Sequence, residues 1–182
     1  ALELTFHNAY GPDKPWFYDI AQAGGGCLMD LGSHLVDLGL WLTDFPPVRE
    51  IRSHLYARGE PLTKPVNQAE DFALAELELE GGTVMRLACS WHLAAGREAV
   101  IQMGIHGSQG GAALSNVAGS FFDFRVERHF GTRSETLASP PDDWGGRALI
   151  RWTRQLTENP GFDPDAERLL AVHRVLDGIY GR

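Results

Sequence analysis

Leu2 and Leu4 alternate with Glu3 and Thr5 from the first residues of the chain, the period-two pattern of a strand with one buried face. The same texture returns in REIRSHLYAR (49–58), DFALAELELE (71–80), TVMRLACSWH (83–92), EAVIQMGIH (98–106) and SFFDFRVERHF (120–130). In the fourth of these, Ala99, Ile101, Met103 and Ile105 share one side, with Gln102, Gly104 and His106 opposite. Gly81-Gly82 between two such runs is a hairpin signal, and short connections of this kind call for antiparallel neighbours.

Elsewhere the apolar period lengthens. A glycine-led helix is predicted over 28–42, stopped by the prolines of DFPP at 44–47. Two more helices are predicted over 143–157 and 164–180, separated by the breaker NPGFDP. In the last, Leu169, Val172, Leu176 and Ile179 keep helical spacing. These elements predict an α+β domain spanning 1–182: a mixed, mostly antiparallel sheet of about five or six strands, with helices from both ends of the chain on one face. The other face carries Glu76, Glu78, Arg86, His92, Asp123 and Arg125, for solvent or for a second subunit. No strand–helix alternation of the Rossmann kind occurs. Neither GGGCLM nor GSQGGA fits GxGxxG, and there is no P-loop. The opening residues read as a strand already under way, so a natural N-terminal part is expected to be missing.

Composition narrows the function classes. The chain has 182 residues, 43% hydrophobic and 22% charged, which is ordinary for one globular domain. A net charge of −8, with Lys14 and Lys64 as the only lysines, argues against nucleic acid or an anionic membrane as partner. No apolar run reaches the roughly 18–20 residues of a membrane span, and a cytoplasmic protein is the default expectation. Cys27 and Cys89 lack CxxC spacing and read as buried thiols.

The unusual chemistry lies in GGGCLMDLGSHLVDLGLWL, residues 24–42. At 100° per residue, Asp30, His34, Asp37 and Trp41 fall in a stripe about 60° wide, beside a broad leucine face. Buried polar groups need partners, so one reading is a histidine capped by a carboxylate inside the core. The other is function. Three glycines let backbone or ligand approach the helix N-terminus, and a His one turn from an Asp suits proton transfer. A metal site would need Asp30 and His34 with His7 as third ligand, but no HExxH, paired cysteines or acid-rich loop accompanies them, so no metal is predicted. The other histidines are scattered, with His92, at a strand end beside Trp91, the best placed.

The same segment closely resembles the GGGxLxDxGxHxxDxxxWL motif in the C-terminal domain of the glucose–fructose oxidoreductase / inositol dehydrogenase (Gfo/Idh/MocA) family. KPWFYD, AEDFALAELELEGGTV, IHGSQGGA and HRVLDGIYGR resemble further family segments, so the likeness covers nearly the whole chain. It implies a two-part enzyme. An N-terminal Rossmann domain would bind NAD or NADP and contribute a lysine, and this chain would be the substrate and oligomerisation half, inactive alone. Asp30 and His34 would be catalytic, His34 exchanging the hydroxyl proton of a sugar, cyclitol or related polyol and Asp30 orienting it. Trp16 and Phe17 stand where some relatives place a Trp-Arg cofactor contact; the arginine is absent, leaving stacking or backbone contact. His7, Lys14 and His92 are the candidate substrate-binding residues, while Asp37 is expected to pair locally and Trp41 to join the core. Homo-oligomerisation through the open sheet face is also implied. The competing readings are a non-catalytic binding or assembly module with the same fold and, more distantly, a metal-dependent hydrolase.

Overall fold

The computed structural model describes residues 1–182. Nine strands form a single sheet: β1 (Leu2–Asn8), β2 (Val48–Ala57), β3 (Glu60–Pro61), β4 (Phe72–Leu79), β5 (Val84–Ser90), β6 (Ala99–His106), β7 (Gly111–Asn116), β8 (Phe124–Phe130) and β9 (Arg133–Ala138). Their spatial order is β3-β2-β4-β5-β1-β6-β7-β8-β9. Only β1 and β5 run parallel; every other pairing is antiparallel. Gly81 and Gly82 both take positive φ, 89° and 84°, and close the tight β4–β5 hairpin that their sequence announces.

The α+β expectation holds, with nine strands in place of five or six. The extra strands share a physical reason for being inconspicuous. β7 is GAALSN, too small in its side chains to show a hydrophobic rhythm. β9 is exposed along its whole length, and β3 has two residues. Ladder hydrogen bonds to a neighbour hold these segments, with burial adding little at β3 and β9.

Helices α1 (Ile20–Ala23), α2 (Ser33–Leu42), α3 (Arg147–Glu158) and α4 (Arg168–Tyr180) complete the fold. The predicted helix over 28–42 begins as a π-turn at Leu28–Gly32, where the Ser33 N–H reaches the Leu28 carbonyl five residues back. Helices α2 and α4 pack side by side over β1, β2 and β5. Between them and the sheet lie Leu2, Leu4, Leu77, Leu79, Met85, Leu87, Val36, Leu40, Leu176 and Ile179, all buried. Gly39 lets α2 lie directly on Met85, since a Cβ there would collide with its sulfur. Helix α3 does not join this layer, as none of its residues is buried. Leu169 is likewise 58% exposed, and the buried stripe of α4 is Val172, Val175, Leu176, Ile179 and Tyr180.

Candidate active site

The three glycines find their partners inside the protein. The Glu70 side chain, fully buried, accepts hydrogen bonds from the Gly26 N–H at 3.0 Å, the Leu28 N–H at 2.8 Å and the Tyr180 hydroxyl at 2.9 Å. Gly24, at φ 78°, ends α1. A Cβ on Gly25 would collide with the Tyr180 hydroxyl, and one on Gly26 with the Glu70 backbone. The free N–H groups expected to face a ligand are thus capped by an internal carboxylate. Burial outweighs the three donors and holds the Glu70 carboxyl above its ordinary range, and burial, with Glu70 beside it, pushes the Tyr180 phenol up as well. Sequence reasoning missed Glu70. The available signal was the GGG run itself, which without a phosphate-binding motif needs an internal partner.

This clamp fixes the start of the segment that carries Asp30. One turn further along, the Asp30 carboxylate is partly exposed and its Oδ2 accepts the Trp91 indole N–H at 3.0 Å. His34 is exposed, its ring tilted against Phe6 with centroids 6.4 Å apart. Asp30 and His34 share one end of the helical layer but make no hydrogen bond with each other, so the expected support of the imidazole by Asp30 is corrected. Trp91 orients the carboxylate. The widened π-turn between the two residues departs from the regular 3.6-residue spacing on which that pairing rests.

Trp91 gathers the neighbouring candidates. Phe17 meets it edge-on at 6.4 Å and stacks with Trp16 at 3.8 Å; Trp16 is 45% exposed. Tyr18 meets Trp91 at 5.4 Å, and His92 stacks on Tyr18 at 6.5 Å. Two other candidates border this cluster: Lys14, whose carbonyl accepts the Phe17 N–H at 3.2 Å, and His7, on the other face of the sheet. Strand residues alternate faces, so Phe6 points to the helices while His7 points to the open side. There His7 hydrogen-bonds Ser90 at 2.8 Å and stacks on Phe72, and burial lowers its pKa. A three-ligand metal site from Asp30, His34 and His7 is therefore not assembled, and no three His, Cys, Asp or Glu stand close enough to hold an ion. Lys14 is an exposed loop residue paired with its neighbour Asp13 at 2.9 Å. Trp41 is 61% exposed, so the core expectation for it is corrected, and Asp37 is exposed without a hydrogen-bond partner. Cys27 and Cys89 are buried free thiols with sulfurs 4.0 Å apart, pinning the π-turn to β5.

With this geometry in view, the family model for the GFO/IDH/MocA C-terminal domain matches residues 1–113. The chain belongs to this family. Among GFO/IDH/MocA relatives, a D-glucoside 3-dehydrogenase from Escherichia coli (strain K12) is 27% identical over 103 residues, covering 50% of this chain and 28% of its own length. An aldose-aldose oxidoreductase from Caulobacter crescentus, solved with glycerol, superposes with a TM-score of 0.75 at 18% identity, over 98% of this chain and 51% of that one. A levoglucosan dehydrogenase solved with NADH and L-sorbose gives 0.72 at 18% identity, over 98% and 54%. GenD2 from gentamicin A biosynthesis, solved with NAD, gives 0.70 at 22%, over 98% and 51%. The chain thus spans about half the length of these solved structures, and the structural likeness shows a shared fold.

Proposed function

We propose that this domain is the substrate half of an NAD(P)-dependent oxidoreductase that transfers hydride between nicotinamide and a sugar, cyclitol or related polyol. The observation that carries the reading is Asp30, pinned by the Trp91 indole with its carboxylate still partly exposed, one turn from an exposed imidazole at His34. The segment bearing both lies within residues 1–113, which match the family model, and the relatives include sugar oxidoreductases.

The nicotinamide, when bound, supplies the hydride acceptor. The chain has no phosphate-binding glycine loop, so its own contribution to the cofactor is the exposed face of Trp16, backed by Phe17. His34 takes the proton of the reacting hydroxyl, or returns it in the reverse direction. Asp30 accepts a hydrogen bond from an adjacent substrate hydroxyl, fixing the carbon to be oxidised. The Trp91 N–H keeps the carboxylate in one orientation. His92 lies at the margin of this region through Tyr18, His7 borders it through Ser90, next to Trp91, and Lys14 through the Phe17 amide.

Assembly belongs to the same proposal. The open sheet face, with the Arg52–Glu76–Arg86 ion network and the 40% exposed Leu74, would meet a second copy of the chain. The test is a paired assay. The isolated chain should not quench or enhance NADH fluorescence at micromolar concentration, whereas a protein joining it to a nucleotide-binding half should oxidise at least one neutral sugar or cyclitol. Micromolar NADH binding by the isolated chain would contradict the assignment.

A further inference from the structure

A concavity of about 620 Å³ opens beside the candidate active site, among Tyr18, Arg58, Glu60, Asp71, Trp91 and His92. Its size is that of a small-molecule site. Asp30 and His34 are not among its lining residues. The connection is Trp91, whose indole N–H holds Asp30 while its side chain belongs to the cavity wall.

The walls are built with care for a loop region. Arg58 and His92 both hold positive φ, 54° and 58°, a backbone region costly for residues with a side chain. Each is held there. The Arg58 N–H donates to the Asp71 carboxylate at 2.8 Å, and the His92 ring lies on Tyr18, its Nε2 3.4 Å from the hydroxyl. Both rings press on Gly11, where any Cβ would collide with them. Meanwhile the Arg58 guanidinium, the Glu60 carboxylate and the Gln68 amide have no partner within the chain.

We propose that this cavity is a subsite for the neutral, non-reacting part of a glycoside substrate. Tyr18, 45% exposed and backed edge to face at 5.4 Å by the buried Trp91, offers apolar surface to the C–H face of a sugar ring. Around it stand an unpaired five-donor guanidinium and carboxylate acceptors, the mixture that a ring of hydroxyls can satisfy. The sign of the rim decides against charged ligands. One arginine faces Glu60 and Asp71, so a sugar phosphate or nucleotide sugar would bring its negative charge to a rim that already carries more acid than base. The inference rests on Asp30 and His34 being the reacting end, and it adds that the enzyme selects glycosides over free or phosphorylated monosaccharides.

The test is binding by the isolated chain, followed by 1H–15N NMR with cellobiose, glucose and glucose 1-phosphate as probes. Cellobiose should shift the Trp91 indole and Gly11 amide signals saturably, with glucose and glucose 1-phosphate each binding about tenfold more weakly or not at all. Arg58→Ala should weaken cellobiose by about tenfold with the melting temperature unchanged, and Tyr18→Ala should weaken it as much while also lowering the melting temperature, since Tyr18 packs on Trp91 and His92. Equal or tighter binding of glucose 1-phosphate, no shift with cellobiose, or full affinity in both variants would overturn the proposal. Because binding is read without turnover, its failure leaves the hydride-transfer reading standing. Conversely, a fully active His34→Asn enzyme would end that reading without altering the binding result.

Discussion

Trp91 donates its indole N–H to Asp30, so the orientation of a helix carboxylate is set by a residue just past the end of β5. Trp91→Phe removes this donor together with one of the two fused rings of a buried side chain. In the isolated chain it should cost about 2 kcal/mol of stability, the lost hydrogen bond and the cavity together. In the joined enzyme it should lower turnover more than it lowers folded yield. Equal turnover per folded molecule in wild type and variant would show that Asp30 needs no such support.

Glu70 is expected to be the most sensitive single polar position for stability. Glu70→Ala strands two backbone N–H groups and the Tyr180 hydroxyl in the core, at a cost of about 3 kcal/mol or more. For a domain of this size that is a drop of roughly 6–12 °C in melting temperature. Glu70→Gln keeps the volume and one acceptor oxygen and should be milder. Its raised pKa means the folded state holds its proton more tightly than the unfolded chain does. This contribution is present at low pH and is lost as pH rises from the ordinary carboxyl value, near 4.5, through the raised one. Urea titrations from pH 4 upward should show that decline in wild type and its flattening in Glu70→Gln. A wild-type loss below about 1 kcal/mol on Glu70→Ala would remove the clamp from the account.

The glycines should grade accordingly. Gly26→Ala meets backbone, which cannot move aside, and should destabilise most. Gly25→Ala meets the end of the Tyr180 side chain and should cost somewhat less. Gly24→Ala faces open space apart from Met29 at 3.6 Å and suffers only from its positive φ, about 1 kcal/mol. Thermal melts of the three variants give the order; Gly24→Ala as the worst would contradict it.

His7 supplies the opposite pH signature. Burial lowers its pKa below 6.5, so the unfolded chain takes up a proton first as pH falls. Stability is full above pH about 6.5 and declines as pH falls from there to the depressed folded value. His7→Gln should flatten stability between pH 7.5 and 5.5, and an unchanged slope would place the dependence elsewhere.

Much of this fold is visible in side-chain rhythm, and the limits of that rhythm explain the rest. β1, β2, β4, β5, β6 and β8 each bury or half-bury alternate residues, so their periodicity carries the information. β7 and β9 exist because a neighbour offers a ladder, which leaves no mark on their own residues. For the site, Asp30 and His34 stand out as polar groups in an apolar helix. Their relation does not, because a π-turn changes spacing without changing composition, and because the partner of Asp30 lies 61 residues away. Glu70 escapes for the same reason: its three donors come from positions 26, 28 and 180.

Self-association can be read directly by sedimentation velocity. The open face should bring two or more copies together, and Leu74→Arg in its middle should give a monomer with an unchanged melting temperature. A wild-type monomer at high concentration would show that this face is not an interface between copies.

The central claim is that His34 exchanges the proton of the reacting hydroxyl. It is tested most directly by turnover of His34→Asn in the enzyme joined to its nucleotide-binding half, with melting temperature and NADH affinity measured on the same preparation. A fall in kcat of about 10²–10⁴ is expected with both other quantities nearly unchanged, since proton transfer matters in the transition state and little in cofactor binding. Undiminished turnover in stable His34→Asn protein would contradict it.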